Sequence, residues 1–371
     1  MILTNYWLLL IWLFTGGIFL NYFLPKKREF VIRIYENRWY IFPAIILVVP
    51  YVLWAGYRSI NTSGFDTSVY FSDYLTAPSE LTQLPSYLDS ITKDKGFSVL
   101  TVIIKCLIGN SPELYFLILA CFQMLCIALM YRKYSNDYWF SIFIFIASTE
   151  YISWMHNSIR QFTAVALVIA ASTLLFKKKY VPLIIVILVA STIHGSALLM
   201  LPIIFIIQGR ALNKKTILCV GVGAIILVFI NQFTDLLDTL LSDTQYQNVV
   251  SDWQSFNDDG TSPLRAAVYS IPAVFTIVGR KQIYMEKNPV IHIASNASII
   301  TAVLSWLSTA TSGIFLGRLP IWVSLYATGI LLPWAIDNLF KAQSAKLVKI
   351  IAVFCYIIFF YYQMHFSWGI M

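Results

Sequence analysis

Apolar runs separated by short polar breaks fill this chain from end to end. A membrane span needs about 20 apolar residues. On that measure the runs 2–24, 39–57, 113–131, 138–152, 157–176, 181–193, 196–208, 216–231, 264–279, 290–309, 319–336 and 350–364 predict about 12 transmembrane helices. Two of them, 181–193 and 196–208, are short, with His194-Gly195 between them. Residues 97–109 are too short to span comfortably and carry Lys105, so they predict a re-entrant or interfacial half-helix. Two polar stretches, 58–96 and 232–263, predict larger loops, and the second holds six aspartates. No internal repeat or low-complexity segment divides the chain. The expectation is a single all-α polytopic membrane domain over 1–371.

Composition agrees with the pattern. Of the 371 residues 58% are hydrophobic and 12% charged, against roughly 25% charged in a soluble domain. The 22 tyrosines and 11 tryptophans suit interfacial belts. The five cysteines all fall inside apolar runs, without metal-ligand spacing or a disulfide framework. Residues 2–24 lack a basic leader and a small-residue cleavage site, and read as a retained span. A net charge of +8 fits basic loops in a membrane protein as well as an anionic partner. Placing the N-terminus outside and alternating puts Lys/Arg 26, 27, 28, 33, 38, 132, 133, 177, 178, 179, 210, 214, 215, 280, 281, 287, 341, 346 and 349 inside. That is 19 of the 26, as the positive-inside rule asks. Both termini and both large loops then lie outside, with 13 of the 18 acidic residues.

On that outer side stands a run of unusual polarity, Tyr151-Ile-Ser-Trp-Met-His-Asn-Ser-Ile-Arg-Gln-Phe-Thr-Ala164. His156 and Arg160 are four apart, so a continuous helix would set them on one face. An arginine at the centre of a span costs about 2.5–3.5 kcal/mol on insertion scales, so it usually has a partner or a ligand. Its fork of donors suits phosphate oxygens, although an interfacial Arg can equally snorkel to headgroups. Asn157 and Gln161 beside it favour a built polar site. Asp66 and Tyr70 are also one turn apart. Asp66 can act as a general base towards an incoming hydroxyl or cap a helix over 67–74. His194, followed by Gly195-Ser196, can sit at the interface, take a proton or bind phosphate as imidazolium. Arg58 ends one span, and Arg318, with Tyr326 two turns later, enters another. A second cation is what a pyrophosphate would need. No Asp-x-Asp pair stands in the first loop, where Asp66 and Asp73 are seven apart. Asp258-Asp259 reads as a solvated loop. Nucleotide loops and nucleic-acid modules do not occur.

In order, Arg58…Gly64-Phe-Asp66-Thr-Ser-Val-Tyr70, Asn157-Ser-Ile-Arg160-Gln161-Phe-Thr-Ala164, His194-Gly-Ser196-Ala197 and Gly317-Arg318…Tyr326 resemble the signature of EpsG-type, Wzy-like polysaccharide polymerases. The likeness covers roughly residues 39–336, and its most telling part is Asn-x-x-Arg-Gln. It implies a GT-C-like membrane glycosyltransferase bundle in the bacterial cytoplasmic (inner) membrane, with its site on the outer side. Such proteins lengthen O-antigen, capsule or exopolysaccharide chains. Donor and acceptor are both glycans on undecaprenyl pyrophosphate. A chain-length regulator protein and membrane lipid are the implied partners, and no metal or other cofactor is implied.

The inventory fits that chemistry. Arg160 and Arg318, with Arg58 supporting or replacing one of them, would bind the pyrophosphate. Asp66 or His194 would deprotonate the acceptor hydroxyl, giving inversion in one displacement. Tyr70, His156, Asn157, Gln161, Ser196 and Tyr326 would support the glycan. Three rivals remain. A lipid-linked oligosaccharide flippase should show repeat symmetry and mid-membrane polar groups, whereas here the polar groups gather at one face. An O-antigen ligase shares the donor and the charge logic. A membrane acyltransferase needs a buried mid-span histidine that this chain lacks.

Overall fold

The computed structural model of the protein describes residues 5–23, 42–60, 65–240 and 260–368. Among these the regular structure is helical throughout. In chain order the helices are α1 (Trp7–Phe23), α2 (Phe42–Gly56), α3 (Thr67–Thr76), α4 (Leu84–Asp89), α5 (Lys95–Ile108), α6 (Pro112–Tyr134), α7 (Tyr138–Ala147), α8 (Ile159–Ala170), α9 (Ser172–Phe176) and α10 (Tyr180–Ile193). They continue with α11 (Met200–Ile207), α12 (Lys214–Val228), α13 (Ile230–Leu240), α14 (Pro263–Val278), α15 (Arg280–Met285), α16 (Pro289–Leu307), α17 (Ile321–Tyr326), α18 (Leu332–Leu339) and α19 (Ala342–Tyr362). They fall into two compact units, one within residues 1–201 and 347–371, the other within 202–346.

Local chemistry sets many of the helix starts. Proline opens α6, α14 and α16, where its missing N–H costs nothing and its φ is already helical. Side-chain oxygens of Asp137, Asn213 and Asn288 accept the orphan N–H groups of Phe140, Thr216 and Val290 at 3.0 Å each, as N-caps do.

Of the expected all-α bundle of about 12 spans, the structure shows the helical character and a smaller set of strongly apolar spans. Among the described residues, four helical stretches are long and apolar enough to cross a membrane: Pro112–Tyr134, Pro289–Leu307, Leu316–Leu339 and Ala342–Ser367. A fifth appears if α12 and α13, bent by 97° at Phe229, count as one. Several other expected spans are apolar helices of 10–17 residues. At 1.5 Å per residue, ten-residue α7 and twelve-residue α8 each reach about half of a 30 Å hydrocarbon core. The polar stretch expected from 232 onward begins as α13, and its remaining aspartates at 243, 252, 258 and 259 lie outside the described residues. So do the basic residues at 26, 27, 28, 33 and 38. Apolar helices do not all hide. The Ala342–Ser367 stretch is 17% buried, against 94% for Leu316–Leu339. An exposed apolar surface of that size needs an apolar neighbour, which fits a multi-pass membrane protein.

In the first unit, aromatic donors reach across to backbone carbonyls. Trp12 Nε1 donates to Leu47 O and Trp139 Nε1 to Leu13 O, both at 2.8 Å. The hydroxyls of Tyr138 and Tyr151 donate to Ala44 O and Tyr51 O at 2.8 and 2.7 Å. Each pairing lets one side chain deliver apolar area and a satisfied polar tip to the same interface. Gln123 Nε2 joins α6 to α8 through Ile159 O at 3.1 Å and Thr163 Oγ1 at 2.9 Å. Beneath α3 lies a core of Tyr70, Tyr74, Phe97, Tyr115, Phe116 and Ile159, with Tyr74 stacked on Tyr115 at 4.4 Å. Lys105, on α5, is buried and donates to Tyr74 O, Leu75 O and Ala77 O at 2.9, 2.8 and 2.6 Å. Its ammonium therefore caps the C-terminus of α3, where carbonyls lack partners and the helix dipole favours a cation.

In the second unit Asn296 serves the turn 207–212. Its Oδ1 accepts from Leu212 N at 2.8 Å, and its Nδ2 donates to Ile207 O and Arg210 O at 2.9 and 3.1 Å. His292 accepts from Ala211 N through Nδ1 at 3.2 Å. That leaves Nε2 as the protonated nitrogen, 2.9 Å from Glu286 O.

Replacing Lys105 by Met keeps the length of the side chain and removes its three bonds. The expected outcome is a loss of about 1–3 kcal/mol, the cost of stranding buried polar groups. Unfolding of the purified protein in detergent checks it, and unchanged stability would contradict the capping role.

Candidate active site

The helical path of the first unit breaks between α7 and α8. Thr149 adopts φ 64°, residues Tyr151–His156 form a π-turn, Asn157 is extended, and Ser158 is left-handed at φ 44°. Left-handed backbone is costly for residues other than Gly and Asn, and wide turns of this kind concentrate at functional sites. The break corrects one sequence expectation. His156 and Arg160 do not share a helix face, because no continuous helix connects them.

The segment 58–70 satisfies the backbone groups the break releases. Asn157 Oδ1 accepts from Ser158 N at 3.1 Å and from Asp66 N at 3.3 Å. Asp66 Oδ2 accepts from Ser158 N at 3.4 Å. The Tyr70 hydroxyl accepts from Arg160 N at 3.4 Å, and Thr67 Oγ1 donates to His156 O at 3.2 Å. Arg58 donates through Nη1 to Met155 O and through Nε to Ala55 O, and lies 4.9 Å over the Phe116 ring. Its Nη2 is buried without a hydrogen-bond partner among the described residues. Burial lowers the Arg58 pKa to about 10, against the opposing pull of Tyr151, Tyr115 and Tyr70, so it stays cationic at neutral pH. Asp66 does stand at the N-cap of α3, but its carboxylate makes no capping bond there. It reaches Ser158 instead.

Arg160 begins α8. Its Nε forms an ion pair with Asp94 Oδ2 at 3.2 Å, not aligned as a hydrogen bond. Asp94, left-handed at φ 52°, accepts from Gly195 N through Oδ1 at 3.1 Å. One carboxylate thus ties Arg160 to the turn after α10. In that turn His194 Nδ1 accepts from Ser196 N at 3.3 Å and lies 2.8 Å from Ser196 Oγ. With Nδ1 an acceptor, the neutral ring carries its proton on Nε2.

Arg160 also lines a cleft of about 190 Å³ with Asp73, Tyr87, Lys93, Phe97 and Ser98. Burial raises the Asp73 carboxyl above its ordinary range, and Arg160 partly opposes this. Lys93 is lowered by burial and by the like charge of Arg160, with Asp94 pulling the other way. Tyr87 is raised by burial and by Asp73. The cleft therefore holds two cations, a carboxylate with raised proton affinity, and hydroxyl donors.

Of the residues singled out in the sequence, Arg58, Asp66, Tyr70, Asn157 and Arg160 meet around the break, and His194-Gly195-Ser196 joins them through Asp94. Gln161 is 3% exposed inside the unit, and His156 is buried with its Nε2 unpartnered among the described residues. Arg318, in the turn Leu316–Arg318, and Tyr326, buried in α17, belong to the second unit. Gly64 lies outside the described residues. Tyr87, Lys93 and Asp94 are not singled out by the sequence, and Asp73 enters there only as too far from Asp66 to form an Asp-x-Asp pair. Asp73 carried a signal, standing three residues beyond Tyr70 on a helical face. Asp94 carried none, since its partners are distant in sequence.

The seat of Asp94 depends on Gly96. A Cβ there would lie 2.1 Å from Thr192 Oγ1 and 2.7 Å from the Thr192 carbonyl carbon, whereas one on Gly195 meets nothing within 4 Å. Gly96→Ala should therefore force α5 off α10 and cost about 1–3 kcal/mol, as overpacking does. Gly195→Ala should be close to neutral. Thermal unfolding of both variants tests the contrast, and equal effects would refute it.

A family model described as the EpsG family matches residues 40–369. Neither the curated proteins nor the solved structures give a match. The matched region takes in the second compact unit, the first unit apart from α1, and every element of the break and the cleft. With that extent of agreement, the chain belongs to the EpsG family.

Proposed function

We propose that the protein is a polysaccharide polymerase. It joins undecaprenyl-pyrophosphate-linked repeat units at the outer face of the cytoplasmic membrane, by inverting transfer in a single displacement. The observation that carries this reading is Arg160. Its Nε is held by Asp94, and no hydrogen bond to the protein occupies its Nη nitrogens among the described residues. Its guanidinium lines a cleft rich in hydroxyls. A guanidinium fixed at one edge presents its remaining donors in a plane, which suits phosphate oxygens. As the sugar–phosphate bond breaks, negative charge grows on the departing pyrophosphate. A preoriented cation stabilises that charge as it develops.

Membership of the EpsG family supports a role in making polysaccharide, and the apolar helices support a lipid-linked substrate. The cleft is smaller than the roughly 300–1,000 Å³ of a typical ligand pocket. It suits the reacting end of a long substrate whose lipid and glycan run outside it.

The test is a gel of surface polysaccharide from a deletion strain complemented with wild type or with Arg160→Ala. The expected result is collapse of the polymer ladder to single repeat units in both the deletion and the mutant. Loss of all surface glycan, with lipid-linked units trapped inside, would instead mark a flippase. Long polymer left unattached to its lipid core would mark a ligase.

A further inference from the structure

Four groups near the break could take a proton, and their surroundings separate them. Asp66 Oδ2 accepts from Ser158 N. Asp94 spends one oxygen on Arg160 and the other on Gly195 N. His194 Nδ1 is taken by Ser196. Asp73 differs. It lines the cleft with Arg160 and Lys93, and among the described residues its carboxylate makes neither a hydrogen bond nor an ion pair. It stands opposite Arg160 in charge without closing onto it, so the space between them is open to reacting atoms.

We propose that Asp73 is the general base of the transfer and that Lys93 shares with Arg160 the charge of the departing pyrophosphate. This rests on the polymerase reading above and deepens it. The acceptor hydroxyl gives its proton to the Asp73 carboxylate as its oxygen bonds to the anomeric carbon. The bond from that carbon to the phosphate oxygen breaks in the same step. Its electron pair leaves with the polyprenyl pyrophosphate, whose charge meets Arg160 and Lys93. Inverting transfer needs the base on one face of the sugar and the leaving group on the other. A carboxylate and a cation that line one cleft without forming an ion pair leave room for that arrangement. Burial, which strengthens the hold of Asp73 on a proton, suits a base working near neutral pH. The side chain remains exposed enough to pass the proton on to water.

The experiment uses full-length protein in detergent with lipid-linked repeat units extracted from the deletion strain. Asp73→Asn should lower kcat by about 10²–10⁴-fold, the usual worth of a general base, with KM changed less than about threefold. Asp73→Glu should recover at least tenfold of that loss, which a merely misfolded site would not allow. Lys93→Ala should raise KM and lower kcat together. If Arg160→Ala abolishes polymer while Asp73→Asn keeps kcat within tenfold of wild type, the base assignment falls and the polymerase reading stands. The same holds if Asp66→Asn or His194→Ala shows the selective loss of kcat instead. A rise in KM alone for Asp73→Asn would make Asp73 a binding group and overturn the proposal. If the wild-type protein makes no polymer and the deletion leaves the surface ladder unchanged, the polymerase reading itself fails.

Discussion

A helix that breaks inside an apolar bundle releases amides and carbonyls that lipid cannot satisfy. Between Thr149 and Ile159 the chain does this over ten residues, so partners must come from elsewhere in the protein. They come from one short segment. Asp66, Thr67 and Tyr70, with Arg58 just before them, bond to Met155 O, His156 O, Ser158 N and Arg160 N. Asn157 closes the set by accepting from both sides. The motifs 58–70 and 157–161 are thus two halves of one device, the first holding the break before α8 in an otherwise costly conformation.

The consequence of the break is the placement of Arg160. A continuous helix through 156–160 would carry the guanidinium wherever the helix face pointed. The left-handed Ser158 resets the direction and starts α8 afresh, with Tyr70 on the first turn and Asp94 on the guanidinium. The strain is repaid by these contacts and by the packing of the surrounding core, Tyr70 and Ile159 among it. Lys105 contributes from the other side by capping α3 and so fixing the helix that carries both Tyr70 and Asp73. The carboxylates divide by environment. Asp66 and Asp94 face backbone N–H groups and a cation that hold them in place, while Asp73 faces the cleft. Residues of one type, close together in one segment, acquire different capacities from what surrounds them.

Much of this was legible in the chain. The apolar runs announced a helical membrane protein, and Arg58, Asp66, Tyr70, Asn157 and Arg160, grouped in the sequence reading, come together around the break. In the sequence Lys105 marks 97–109 as a re-entrant or interfacial half-helix, and its capping role follows only from α3 passing beside it. The count of spans was the weakest inference. Apolar length measures how hydrophobic a run is, not whether it stays straight. The runs 138–152 and 157–176 read as two spans, and they form the short helices α7, α8 and α9 with a wide turn before α8, while 216–231 bends at Phe229.

Hydrophobic periodicity, composition and the order of polar motifs determined by themselves that this chain is helical, apolar and equipped with arginines and carboxylates at span ends. Those features follow from neighbours within a few residues, where spacing and propensity are enough. Which carboxylate holds an arginine and which faces open space was decided only by the tertiary structure. Asp94 meets Arg160 across 66 positions of sequence and Gly195 across 101. A single sequence records no such distance, because the partners are chosen by how whole helices pack and by the need to leave no buried amide bare.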